Sequence, residues 1–210
     1  MPAQIAIDLI VKKILQGIIQ AQKDYSEWTD GDWLWTAPEY LLTTCIAQKI
    51  MKLDGSKYLT LENNAKSAIE EAGAKGKGKL NARIRSNGRF DILLWWGSYN
   101  PRAVIEVKNQ ITSSIALKND LLRIREVLRR KQNVSTFQFG AMAYYTSTFD
   151  SKRFSAKERI LKRTHRILRD AQGIVGENLQ VVEYRSRIRV EDDSAWVAVV
   201  LLIKKSGLQK

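Results

Sequence analysis

The chain has 210 residues, a net charge of +13 and a pI near 9.9, so it is long enough for one globular domain with a real core. A 44% hydrophobic, 27% charged balance with only three prolines excludes a long disordered segment. The single Cys45 and single His165 exclude a disulfide framework and a Cys/His zinc centre, leaving only hard, oxygen-bound metals as candidates.

Residues 118–169 hold 14 Lys/Arg against 4 Asp/Glu, a net of +10 of the total +13. Such concentration predicts a polyanionic partner, because clustered cations gain affinity by releasing counterions from phosphates. The apolar stretch Ile5 to Ile19 is interrupted by Asp8, Lys12 and Lys13 and is followed by no small-residue cleavage site; the run Trp196 to Ile203 is too short to span a bilayer. The expectation is a cytoplasmic protein with no membrane partner.

From about Ala3 to Lys23, Ile7, Ile10, Val11, Ile14, Leu15 and Ile18 line one side of a helix, a packing or dimerisation element. A linker with Trp28, Trp33 and Trp35 follows. Thr36 is the expected N-cap of a second helix with Pro38 in its first turn and Tyr40, Leu41, Ile46, Ile50 and Met51 in its apolar pattern. Tyr58 to Leu61 reads as a short strand and Ala65 to Ala72 as a short helix. The loop Gly73 to Lys79 carries Lys75, Lys77 and Lys79; its glycines mimic phosphate-loop spacing, but Leu80 replaces the required Ser/Thr, and a helix precedes it where a strand should.

Arg89 to Trp96 and Ala103 to Lys108 read as two strands joined by a turn at Gly97 to Arg102. Both are apolar on both faces, as central strands are. An amphipathic helix over 115–131 turns Leu117, Leu121, Ile124 and Leu128 inward and carries Arg129, Arg130 and Lys131. Phe137 to Tyr145 reads as a buried strand. Ser155 caps a helix whose polar faces carry Lys162, Arg163 and Arg166, and two strands, Leu179 to Arg189 and Ala195 to Lys204, close the chain. The expected fold class is α/β, a mixed β-sheet flanked by helices, with an N-terminal helix and Trp-rich linker over 1–35 and the α/β domain over 36–210.

The informative residues are the few charges on the buried hairpin. A turn centred near Ser98 and Tyr99 places Asp91 across from Glu106, and opposed like charges destabilise a sheet unless a cation compensates. Lys108 shares Glu106's face by the strand's period of two. Two carboxylates and a lysine suit magnesium, which takes oxygen ligands, keeps waters and is commonly held by one or two carboxylates plus substrate phosphate. Lys108 would position a water or stabilise developing negative charge.

Gly88-Arg89-Phe90-Asp91, fourteen residues, then Glu106-Val107-Lys108 resembles the core motif of the PD-(D/E)XK nuclease superfamily, with Phe90 in place of the proline. The resemblance covers roughly Thr36 to Tyr145. It implies a restriction-endonuclease-like core of a helix, a three-stranded meander, a helix and a further strand. It also implies magnesium, with manganese able to substitute, held by Asp91, Glu106 and the carbonyl of Val107, with Lys108 assisting the water. An upstream acid is expected from the first core helix, Glu39 or, under a different helix assignment, Glu70. The implied activity is that of a deoxyribonuclease, an endonuclease of the restriction, defence or junction-resolution type, with DNA favoured over RNA. Lys75, Lys77, Lys79, Arg129, Arg130, Lys131, Lys162, Arg163 and Arg166 are the candidate phosphate contacts. A homodimer would let one site serve each strand, and a non-catalytic nucleic-acid-binding module on the same fold is the alternative.

Overall fold

The computed structural model describes residues 4–130 and 134–205. Its elements in chain order are α1 (Ile7–Trp28), α2 (Glu39–Met51), β1 (Lys57–Asn64), α3 (Ala65–Glu71), β2 (Arg89–Trp96), β3 (Pro101–Lys108), α4 (Ser114–Arg129), β4 (Phe139–Phe149), α5 (Ala156–Val175), β5 (Leu179–Arg185), β6 (Arg189–Glu191) and β7 (Ser194–Lys205). The sheet runs β1-β2-β3-β4-β7-β5, with β6 also on β7, and is mixed: β3 and β4 are parallel, the other pairs antiparallel.

Strand periodicity divides the core into two layers, as an α/β sheet with helices on both faces requires. On β7, Ala195, Val197, Val199, Leu201 and Ile203 face the helices α3, α4 and α5, while Trp196, Ala198, Val200 and Leu202 face α1 and α2. β3 alternates likewise: Ala103, Ile105 and Val107 join the α1/α2 layer and Val104 the other. Glu106 and Lys108, in step with Val104, therefore point toward α4.

Two expectations are corrected at the N-terminal side. The first helix extends through Trp28, which leaves the linker, and its apolar side (Ile10, Val11, Ile14, Ile18) is buried within this chain against α2 and the sheet. That face is unavailable as a dimer interface. Thr36 lies in a short 3-10 turn over Leu34–Thr36, and Pro38, which fixes an extended φ and needs no N–H at that place, is the N-cap of α2; Glu39 is thereby the first helical residue. Tyr58 to Leu61 grows to the eight-residue β1, because its whole length pairs with β2. The expected strand Leu179 to Arg189 is interrupted after Arg185, where the Ser186 hydroxyl takes over the amide of Ala198.

Gly17 brings α1 and α2 together: a Cβ there would lie 2.5 Å from Ile46 Cα and 2.8 Å from its nitrogen. Backbone cannot yield as a side chain does, so overpacking at about 1–3 kcal/mol or more outweighs the roughly 1 kcal/mol that alanine gains in helix propensity. Gly17→Ala is expected to lower stability by ~2 kcal/mol in urea denaturation, and an unchanged midpoint would contradict this packing.

Candidate active site

The site lies at the C-terminal end of β3. The β2–β3 register pairs Ile92 with Ile105, so Asp91 and Glu106 are the next positions in line. Asp91 Oδ2 accepts the Val107 amide at 2.7 Å, which fixes this carboxylate over β3. Val107 itself is fully buried.

Glu106 is 2% exposed, and its compensating cation is Arg123 of α4 rather than the expected Lys108. Arg123 Nη1 donates to Glu106 Oε1 at 3.0 Å and to the Arg89 carbonyl at 2.7 Å, while Nε donates to the Ile84 carbonyl at 2.9 Å. The guanidinium also sits 4.3 Å from the centre of the Phe90 ring. Its second terminal nitrogen is buried and has no hydrogen-bond partner among the described residues. Burial draws the Arg123 guanidinium below its usual range, against the opposing pull of Glu106.

Lys108 Nζ instead contacts Glu39 Oε1 at 2.8 Å and Asp120 Oδ2 of α4 at 3.8 Å. Glu39 Oε2 accepts the amide of Asn109 at 3.2 Å, and the Asn109 side chain holds the carbonyls of Leu34 and Ala37 at 2.7 and 2.9 Å. The start of α2 is thus clamped to the end of β3, and Glu39, not Glu70, reaches the site. Glu70 pairs with Lys75 at 2.6 Å. Burial works against the Lys108 ammonium, but Glu39, then Asp120 and Asp91, outweigh it and raise its pKa. Lys108 is therefore a cation at neutral pH, a donor and charge stabiliser rather than a base.

The Glu106 carboxyl is pushed up to about 8, by burial first and by the nearby charge of Asp91 and Asp120, with Arg123 pulling the other way. An unfolded Glu titrates near ~4.3, so the folded state binds this proton more tightly; the stability it contributes is complete below the unfolded value and is lost as pH rises through the folded one. In EDTA the thermal midpoint is expected to fall between about pH 5 and about pH 8.5, and Glu106→Gln to flatten that fall. Equal slopes in the two proteins would rule out Glu106 as the titrating group.

Among the described residues no group of three or more His, Cys, Asp or Glu side chains is arranged to hold a metal ion on its own. A hard cation that needs only one or two carboxylates would find Asp91 and Glu106 at neighbouring register positions, where burial first and then the Asp91 charge raise the Glu106 pKa. Compared with protein-family models, curated proteins and solved structures, the chain matches none.

The candidate phosphate contacts divide into two groups. Arg129 and Arg130 bond the carbonyls of Val175, Ala74 and Lys75, and Lys75 pairs with Glu70, so these residues build the fold at the C-terminal end of α4. Arg129 and Arg130 lie at the C-terminal end of α4, six or seven residues and about 10 Å along the helix beyond Arg123, and Lys77 and Lys79 are exposed on the loop that follows Lys75. Lys131 lies outside the described residues. Lys162, Arg163 and Arg166 sit on α5, Arg163 donating to the Thr146 hydroxyl and the Ser147 carbonyl at 2.6 and 2.8 Å. His165 is exposed on the same helix and Cys45 is buried in α2, neither in the site. No helix among the described residues is long and apolar enough to cross a membrane.

Asp120, Arg123 and Asn109 escaped the reading of the sequence. A signal for the first two existed: each follows at three-residue spacing from Leu117, on the flank of the inward stripe of α4, where a charge needs a partner. Asn109 carried no such signal.

Proposed function

We propose that the chain is a magnesium-dependent nuclease that hydrolyses phosphodiester bonds in DNA, as an endonuclease. The observation that carries this reading is the convergence of Asp91, Glu106, Lys108 and Glu39, from three elements, at one end of the sheet. The order α2, the meander β1-β2-β3, α4 and the parallel β4 agrees with a restriction-endonuclease-like core and supports the superfamily resemblance. Concentrated positive charge supports a polyanionic substrate.

In this reading Asp91 and Glu106 hold the magnesium, with the Val107 carbonyl as the third protein ligand that the resemblance implies. Bound there, the metal supplies Lewis-acid polarisation of a phosphate and a more acidic water. Lys108, fixed as an ammonium by Glu39, places a hydrogen-bond donor where negative charge grows on the phosphate. Asn109 holds Glu39 in turn, so the lysine is oriented before substrate arrives.

One observation favours a second reading, a non-catalytic nucleic-acid-binding module: Arg123 already occupies Glu106 Oε1. Incubation of duplex, branched and single-stranded DNA and of RNA with magnesium, manganese or EDTA separates the two. The nuclease reading expects metal-dependent cutting that Lys108→Ala loses; salt-sensitive binding without cutting of any substrate would favour the second.

A further inference from the structure

A second feature shares the catalytic edge. Because β3 and β4 are parallel, the helices that follow them, α4 and α5, both begin on the side of the sheet toward which Lys108 ends β3, although β4 runs five residues past Tyr144, the partner of Lys108, to Phe149. Between these two helices opens a cleft of about 350 Å³, lined by Thr112, Ser113, Ser114, Phe154 and Ile167 and by four cations, Arg159, Lys162, Arg163 and Arg166. No carboxylate lines it.

The cations are held by different means. Arg159 donates to the Phe149 carbonyl, Arg163 to Thr146 and Ser147, and the Lys162 ammonium sits 3.0 Å above the centre of the half-exposed Phe154 ring. Arg166 is exposed and, among the described residues, has neither a hydrogen bond nor an ion pair. Glu158, the one acid on the first turn of α5, is occupied by the Ser155 cap, and Asp170 by Ser114 and Arg169. With four cations on its wall and only Glu158, near Lys162, and Asp170, on Ser114, as nearby acids, the cleft keeps a net positive charge complementary to closely spaced anions. Ser113, the N-cap of α4, makes no side-chain cap, so hydroxyl and amide donors add to the same wall.

Thr112 is four residues from Lys108, so this wall of the cleft lies within about 14 Å of it, no more than some four nucleotide steps at roughly 3.4 Å per strand step. We propose that this cleft seats backbone phosphates of the nucleic-acid strand within a few nucleotides of the bond at Lys108. The seat carries affinity, not chemistry. This rests on the nuclease reading only for what happens at Lys108; the phosphate seat itself needs no cleavage.

The test is fluorescence anisotropy with a labelled DNA duplex in EDTA, in the Lys108→Ala background, over a series of salt concentrations. Lys162→Gln/Arg166→Gln is compared with Lys12→Gln/Lys13→Gln, an equal charge change on α1 across the sheet. The cleft variant is expected to bind about tenfold or more weakly near 0.1 M salt, with a log–log salt slope shallower by about two, while the α1 variant changes less than about twofold. Thermal melting of both checks that the surface changes leave the fold intact. In the chain with Lys108 restored, magnesium-dependent cleavage by the cleft variant should show a raised KM with kcat held. Equal losses in the two variants, or an unchanged affinity and slope in the cleft variant, would overturn the proposal. Lost binding in the cleft variant with no cleavage by the wild type would sink the nuclease reading and leave the seat standing; cleavage by the wild type with unchanged cleft binding would do the reverse.

Discussion

Asp91→Asn is expected to lower metal-dependent DNA cleavage by roughly three orders of magnitude, about 4 kcal/mol of transition-state stabilisation, without loss of thermal stability. The two effects separate because Asp91 has two roles. Its oxygen accepts the Val107 amide, a bond that the asparagine carbonyl can still accept. Its charge, however, stands beside that of buried Glu106 and raises the Glu106 pKa. Removing the charge takes away a ligand that a divalent cation needs and also the repulsion that burdens the metal-free fold. The same substitution should therefore bring the Glu106 titration down, readable as a shallower decline of melting temperature with pH. A variant that is inactive because it is unfolded, or one that is folded and fully active, would contradict this assignment.

Arg123→Met should produce the largest loss of stability among the site variants. Arg123 is almost wholly buried, pairs with Glu106 and holds the Ile84 and Arg89 carbonyls, so its removal strands one carboxylate and two backbone acceptors. At about pH 9, above the Glu106 pKa of about 8, the pair is ionised, and breaking it from one side costs about 3–5 kcal/mol, which at an m-value near 2 kcal/mol/M lowers the urea midpoint by roughly 2 M. Adding Glu106→Gln should recover part of that loss, since the orphaned charge disappears with it, and the double-mutant cycle measures the coupling directly. A loss below about 1 kcal/mol for Arg123→Met would mean that water reaches Glu106 and that the pair is not an internal one.

The sequence was most legible where two independent signals coincided. The hairpin of β2 and β3 combines apolar runs with a turn, and its symmetry alone places Asp91 beside Glu106, in agreement with the observed register. Period-two alternation likewise put Lys108 on the face of Glu106. The partner of each charge was not legible, because partners come from other elements: Arg123 reaches Glu106 across seventeen positions and Glu39 reaches Lys108 across sixty-nine. The choice between Glu39 and Glu70 turned on which helix packs beside the end of β3, which depends on the Asn109 clamp rather than on local pattern. Composition pointed to a basic binding face but could not divide it. Arg129 and Lys162 look alike in sequence, yet one is bonded to a carbonyl at the C-terminal end of α4 and the other lines a cleft between α4 and α5.

The most direct measurement of the central claim is nicking of a supercoiled plasmid by the wild-type protein over a magnesium titration, with EDTA and with Asp91→Asn at equal folded concentration. Nicking is expected to rise and saturate with magnesium, to vanish in EDTA and to be absent from Asp91→Asn. Nicking that persists in EDTA, or that survives intact in Asp91→Asn, would contradict it.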